Sequence, residues 1–395
     1  METTTNNKML SISKQVVSIL MVLFVFLVSL SLMSSGFKLM GKDVASEIMT
    51  VTSNPFIGLF VGLLATALVQ SSSTTTAMIV AIVASGALSL QNAVPMIMGA
   101  NIGTSVTSTI VALGHLSNKD EFNKAIGAAT VHDFFNLIVV LVLFPLELST
   151  GLLSSVGSSV AAMFVSDGAK ESTKLFSIMG VTVKPTAKFI VSVLGKNPYI
   201  VLVVATGVLF FSLRAFTTVL KKVLVGNSQK KLEKYIFGTP ITSLFWGMVI
   251  TAGVQSSSVT TSLAVPLVAS DKISLRKAFP FLMGANIGTT VTALIAALSQ
   301  NEAALAVALC HLFFNLFGVL ILFPLPAFRN IPIWCAETLG KASMKNRTIG
   351  FAYVLVVFFL MPFTLIYFTS PDKPSGEVKK VEIQSFQKTK TVALH

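Results

Sequence analysis

Apolar residues come in blocks along this chain, not in the three-and-four spacing of a soluble helix. Val16–Met33 is a long apolar run, and a helix needs about 20 such residues to cross a bilayer. It is long for the core of a signal peptide and no small-residue cleavage site follows, so it reads as a retained helix. Asn54-Pro55 opens a shorter run, Phe56–Val69, followed by a polar patch, Gln70–Thr76, and a second short run, Ala77–Leu90. Pro95–Leu113 is longer and is interrupted at Gly99-Ala100-Asn101-Ile102-Gly103, a helix-breaking composition. Ala125–Leu148, Tyr199–Leu220 and Phe351–Phe368 are full spans. Residues 149–198 are rich in Ser, Gly and Lys and read as a surface loop with room for a short amphipathic helix. The tail, Thr369–His395, carries five lysines and reads as disordered.

Composition removes the other classes. The 395 residues include 29 Lys and Arg against 16 Asp and Glu, a net charge of 29 − 16 = +13. Only 11% are charged and 53% are hydrophobic, with a mean hydropathy of +0.81. A soluble domain carries about 25% charged residues, so a water-soluble globule is excluded. Two cysteines, Cys310 and Cys335, cannot make a disulfide scaffold. The lysines sit in short stretches between apolar runs, as at a membrane surface. No stretch interleaves basic and aromatic residues, so nucleic-acid binding is not expected. An all-α polytopic membrane protein remains.

The strongest signal is an internal repeat. Shifting residues 58–111 by 185 onto 243–296 makes 30 of 54 positions identical without a gap. Gln70-Ser71-Ser72-Ser73 falls on Gln255-Ser256-Ser257-Ser258, and Met98–Thr104 falls on Met283–Thr289. A shift of 179 then puts His132-x-Phe134-Phe135-Asn136 on His311-x-Phe313-Phe314-Asn315. Shared hydropathy cannot order polar residues twice in the same way, so the halves are duplicates. Each QSSS reads as the tip of a re-entrant helical hairpin, each GANIGT as a broken spanning helix, and each His-x-Phe-Phe-Asn as a helix crossing back. One single helix precedes each half, which makes the repeats inverted. Seven crossings result, placing the two termini on opposite sides.

The expected organisation is therefore an N-terminal segment and first span (1–53), repeat 1 (54–148) and the loop (149–198). A linking span and basic loop (199–238), inverted repeat 2 (239–328), a loop and last span (329–368) and the tail (369–395) follow. Interrupted apolar segments at matching places in two halves mark a transporter site. Freed helix N-termini and hydroxyls suit an anion, while freed carbonyls and amide oxygens suit a hard cation. No charged residue occurs in Phe56–Leu113, and those of Phe245–Leu298, Asp271, Lys272, Arg276 and Lys277, sit near a loop. A co-bound cation is then the countercharge for an anion. His132, Asp133, Asn136, His311 and Asn315 are intramembrane polar candidates, with helix pinning as their simpler role.

At these motifs the chain resembles the type II sodium-dependent phosphate cotransporters, their bacterial members in particular. The resemblance covers roughly residues 36–148 and 200–368. It implies an inverted-repeat symporter that carries inorganic phosphate inward with Na⁺ by alternating access, as a multi-pass protein of the bacterial inner membrane. It implies no cofactor besides Na⁺ as coupling ion, and phosphate, sodium and the lipid bilayer as partners. Carried over by position, Ser71, Ser72, Ser73, Ser256, Ser257 and Ser258 are the phosphate candidates. Gln70, Thr75, Asn101, Thr104, Gln255, Thr260, Asn286 and Thr289 are the sodium candidates. The residues alone leave open a sodium-coupled carrier of another oxyanion or a dicarboxylate. An anion channel would need charged rings, which are not evident. A serine-nucleophile enzyme would need a base, and no His or Lys lies between Phe56 and Leu113.

Overall fold

The computed structural model describes residues 2–167, 172–224, 236–298 and 300–369. Among them the chain is helical almost throughout, without strands. Helices α1 (Glu2–Leu39) and α2 (Gly41–Thr52) lead into repeat 1. Asn54 caps α3 (Pro55–Val69), its side chain accepting from Phe56 N, with Pro55 in the first turn where no amide is needed. Ser71 caps α4 (Ser72–Ser85), and Gly86 ends it in the left-handed conformation. Ser89 caps α5 (Leu90–Gly103), which is followed by α6 (Val106–Leu113) and α7 (Lys119–Thr150). Helices α8 (Leu152–Asp167), α9 (Ser172–Val193) and α10 (Pro198–Leu224) connect the halves. Repeat 2 reuses the grammar: Thr239 and Pro240 start α11 (Pro240–Val254), Ser256 caps α12 (Ser257–Ala269), and α13 (Leu275–Ala297) and α14 (Glu302–Leu322) follow. Then come α15 (Pro326–Lys345), α16 (Thr348–Leu355), a π-helical turn (Val356–Leu360) and α17 (Met361–Thr369).

Seven described segments are long and apolar enough to cross a membrane, and they fall on the seven expected from sequence. Counting the bent pair α2–α3, at 101°, would add an eighth. In α13, 83% of the spanning window is buried, against 17% from Thr348 to Phe368. The repeat helices therefore form the centre, and the last span presents most of its surface to lipid. The expected disordered tail lies outside the described residues beyond Thr369.

Glycine brings helices together here. A Cβ on Gly62 would lie 2.0 Å from the Met96 carbonyl oxygen, and one on Gly99 1.8 Å from that of Leu59. In repeat 2, Gly247 and Gly284 stand in the same relation to Phe281 and Leu244, at 2.0 and 1.9 Å. Small residues four apart allow such backbone contact where lipid gives no hydrophobic drive between helices. This corrects the reading of GANIGT as a helix breaker. Helices α5 and α13 both run through Gly99–Gly103 and Gly284–Gly288. Only repeat 1 is interrupted, later, at Thr104–Ser105, while α13 is continuous. At this interruption the Asn136 side chain donates to the Asn101 carbonyl at 2.8 Å, which also accepts from Thr104 N at 3.4 Å.

Residues 149–198 are also corrected, since they contain α8 and α9 and not a loop with one short helix. Helix α8 packs on α14 of the other half, with Gly157 against Cys310, whose thiol donates to Leu153 O at 3.1 Å. Helix α15 packs on α7, with Gly340 against Asn123. Each half thus lays the helix after its His-x-Phe-Phe-Asn segment onto the partner half. Helices α1 and α10, the single spans before each half, pack together. Phe122, Phe135, Phe279 and Phe314 fill the core between the halves.

Candidate functional site

Each QSSS occupies the turn between two apolar helices. Gln70 and Gln255 both adopt left-handed backbone, at φ 55° and 54°, and end α3 and α11. Non-glycine residues avoid that region at a cost of about 1–3 kcal/mol unless the surroundings hold them there. The amides of Gln70 and Gln255 bond Thr66 O and Thr251 O at 2.8 and 2.6 Å. The next residues, Ser71 and Ser256, are extended, and their hydroxyls accept from Thr74 N and Val259 N at 3.2 and 3.4 Å. Two helix N-termini, of α4 and α12, thus begin at the tips. Their first turns carry Ser72, Ser73 and Ser257, which are buried, and Ser258, which is half-buried.

The tips meet. The Ser73 hydroxyl donates to the Gln255 carbonyl at 3.1 Å. Beside this contact, Ser108 and Thr261 share a hydroxyl–hydroxyl bond of 2.7 Å across the halves. The junction is asymmetric: Gln255 is 5% exposed, whereas Gln70 lies exposed at its own tip.

A second cluster joins the halves by reciprocal exchange. His132 Nε2 donates to Asn286 Oδ1, and His311 Nε2 donates to Asn101 Oδ1 at 3.3 Å. Asn286 Nδ2 donates to Asn136 Oδ1 at 2.8 Å, and Asn315 Nδ2 to Asn101 Oδ1 at 3.3 Å. All six residues are buried. His132 Nδ1, His311 Nδ1 and Asn315 Oδ1 find no partner among the described residues. Residue i of one half bonds residue j of the other, and the reverse also holds, which is the signature of a two-fold relation.

The sodium candidates divide. Thr75 and Thr260 bond Ser71 O and Ser256 O at 3.1 and 3.2 Å, closing the first turns at the tips. Thr104 and Thr289 bond Ala100 O and Ala285 O at 3.1 and 2.9 Å inside α5 and α13. Asn101 and Asn286 belong to the histidine cluster, and no described hydrogen bond ties either to a tip. The four threonine hydroxyls donate in these bonds and keep oxygen lone pairs for a cation, whereas Asn101 Oδ1 already accepts from His311 and Asn315, and Asn286 Oδ1 from His132. Sequence reasoning named His132, His311, Asn136 and Asn315 without placing them in the site. The signal was present, because these are polar residues repeated in register within apolar helices.

Asp133 adds a group of another kind. It is fully buried, one carboxylate oxygen accepts from Tyr353 Oη at 3.1 Å, and the other has no partner among the described residues. Nothing in the repeat pattern pointed to Tyr353, which comes from α16 outside both halves.

Interlocked repeat halves, seven spans and a buried polar seam define a duplicated, polytopic α-helical membrane protein. The chain belongs to the Na+/Pi-cotransporter family, whose profile matches residues 25–165 and 208–324. It is 36% identical to the sheep and rat proteins called sodium-dependent phosphate transport protein 2A, over 86% of this chain and 65% of each of theirs. It is 33% identical to the human sodium-dependent phosphate transport protein 2B, over 87% of this chain and 63% of that protein. The chain therefore spans somewhat less than two thirds of the length of these relatives. No solved structure matches it.

Proposed function

We propose that the protein is a secondary active transporter that carries inorganic phosphate into the cell with Na⁺ by alternating access. The observation that carries this reading is the meeting of the two QSSS tips, with Ser73 bonded to the Gln255 carbonyl. Two helix N-termini and their serine hydroxyls at one junction form a site for an anion. Ser71, Ser72, Ser73, Ser256, Ser257 and Ser258 bind phosphate in this reading. Gln70, Thr75, Gln255 and Thr260 hold Na⁺ at the tips, while Asn101, Thr104, Asn286 and Thr289 hold Na⁺ or support the site from behind. No basic side chain reaches either tip among the described hydrogen bonds, so bound Na⁺ supplies the positive charge that a divalent anion needs. Binding of one ion then strengthens binding of the other. Asp133, buried and bonded by Tyr353, is an intramembrane acidic group that supports a cation within the membrane.

The halves are inverted repeats in this reading, each with a re-entrant hairpin. The reciprocal His–Asn exchange supports a two-fold relation, and the single spans α1 and α10 before the halves support an axis in the membrane plane. The exposed Gln70 and buried Gln255 fit a carrier open to one side. The resemblance of the motifs to bacterial members supports a bacterial inner membrane as its location. The relatives' names support phosphate and sodium as cargo, and transport over catalysis.

Proteoliposomes with an imposed gradient test the reading. Labelled phosphate is expected to accumulate with inward Na⁺ and not with K⁺, and unlabelled phosphate is expected to compete better than sulfate or succinate. Equal uptake in K⁺ would overturn coupling. Better competition by sulfate or succinate would reassign the cargo to another oxyanion or a dicarboxylate.

A further inference from the structure

Away from the tips, a cavity of about 270 Å³ opens where α11, α13 and α15 begin. It has the volume of about nine waters at roughly 30 Å³ each, more than a lone small ion fills. Its polar lining includes Thr239, Ser243, Arg276, Lys277, Arg329 and Asn330. Three of these are cations. The ion pairs among the described residues are His115–Glu121 and Lys124–Asp271, so Arg276, Lys277 and Arg329 have no described carboxylate partner. Arg276 instead reaches Asn330 Oδ1 at 3.4 Å, and the Arg329 guanidinium stacks 5.5 Å from the Phe323 ring.

The helix dipole disfavours these positions for cations, of which Arg276 and Lys277 are exposed and Arg329 half-buried. Arg276 and Lys277 sit in the first turn of α13 and Arg329 in that of α15, and neither turn holds an acid. Helix N-termini repel cations and attract anions. Neither start has a side-chain cap, since Ser274 and Leu325 make no capping hydrogen bond. Three positive charges and uncapped N-terminal amides therefore converge on one cavity, with no ion pair to a carboxylate among the described residues. Residues that break a local rule mark sites of function.

The surroundings specify the anion. Ile241 and Phe245 on α11, and Phe328, Ile331 and Trp334 on α15, are exposed one or two positions along the chain from residues that line the cavity. An apolar face next to a basic pocket between membrane helices matches an acyl chain next to its headgroup. We propose that this cavity binds the phosphate of an anionic phospholipid, with the acyl chains along α11 and α15. Free phosphate shares the headgroup chemistry but would leave the apolar face without an occupant.

Native mass spectrometry of the full chain in detergent tests this. The protein is expected to retain phosphatidylglycerol in preference to phosphatidylcholine. The combined variant Arg276→Gln/Lys277→Gln/Arg329→Gln is expected to bind phosphatidylglycerol roughly 10- to 100-fold more weakly. Lys341→Gln/Lys345→Gln, at the far end of α15, is expected to keep the preference. Arg329→Gln alone, read the same way with a smaller loss, keeps the test decisive should the triple variant fail to fold. Unchanged retention in the triple and single variants would overturn the proposal, as would equal retention of phosphatidylcholine. Displacement of phosphatidylglycerol by millimolar inorganic phosphate would overturn the lipid as occupant.

Discussion

At the residue scale, the tips combine backbone strain with polar side chains, and the two can be separated. Gln255 holds a left-handed conformation that glycine adopts without steric cost. Gln255→Gly is therefore expected to melt at or above the wild-type temperature while phosphate uptake falls. A large loss of thermal stability would mean that the amide side chain is structural. Ser257 is buried in the first turn of α12 and is not its cap. A hydrogen bond to a charged group is worth about 1.5–3 kcal/mol, so Ser257→Ala is expected to raise the half-saturating phosphate concentration roughly 10- to 150-fold. Ser71→Ala combines two effects, because it also removes the cap of α4, at about 0.5–2 kcal/mol of stability. Comparing uptake and melting temperature for the two variants tells ligand from cap, and normal uptake in Ser257→Ala would reduce that serine to packing.

At the element scale, the repeat was legible because polar residues in apolar helices stand out, and they occur twice in register. What a neighbouring helix does to an element was not legible. The interruption after Gly103 lies where the Asn136 side chain from α7 bonds the Asn101 carbonyl, whereas the equivalent Asn315 bonds His311 O and Asn101 Oδ1 and α13 is whole. The glycines of GANIGT read as breakers because their usual meaning is local. Their use here is the close approach of α3 to α5 and of α11 to α13, which one strand of sequence does not record. Helix α8 was missed because Ser and Gly dilute its apolar face, and α15, its counterpart in place, shares no motif with it. The close approach gives its own prediction. Gly247→Ala would put a methyl 2.0 Å from the Phe281 carbonyl oxygen, and overpacking costs roughly 1–3 kcal/mol or more. The variant is expected to melt well below wild type by fluorescence-detected size exclusion, whereas Gly207→Ala, with no atom within 4 Å, is expected to match it.

At the scale of the whole molecule, the halves touch through hydroxyls that transport would have to separate. Ser108 and Thr261 lie 2.7 Å apart, oxygen to oxygen. In a background with Cys310 and Cys335 replaced, Ser108→Cys/Thr261→Cys is expected to lose uptake on mild oxidation and regain it on reduction. Full uptake by the oxidised, cross-linked protein would mean that this contact does not move. The proposed inversion of the halves makes a second demand: cysteines introduced at Ser53 and at Gly238 should react with an impermeant reagent from opposite faces, and labelling from one face would mean parallel halves. The exchanged packing of α8 on α14 and of α15 on α7 also bears on how the protein is made. When the ribosome has released the first half, α8 has no α14 to cover Gly157, and α7 has no α15. The newly inserted half must wait in the bilayer with both seams open until translation reaches Lys345, so neither half is a complete folding unit. The two halves synthesised as separate chains are then expected to persist only when made together in the same membrane.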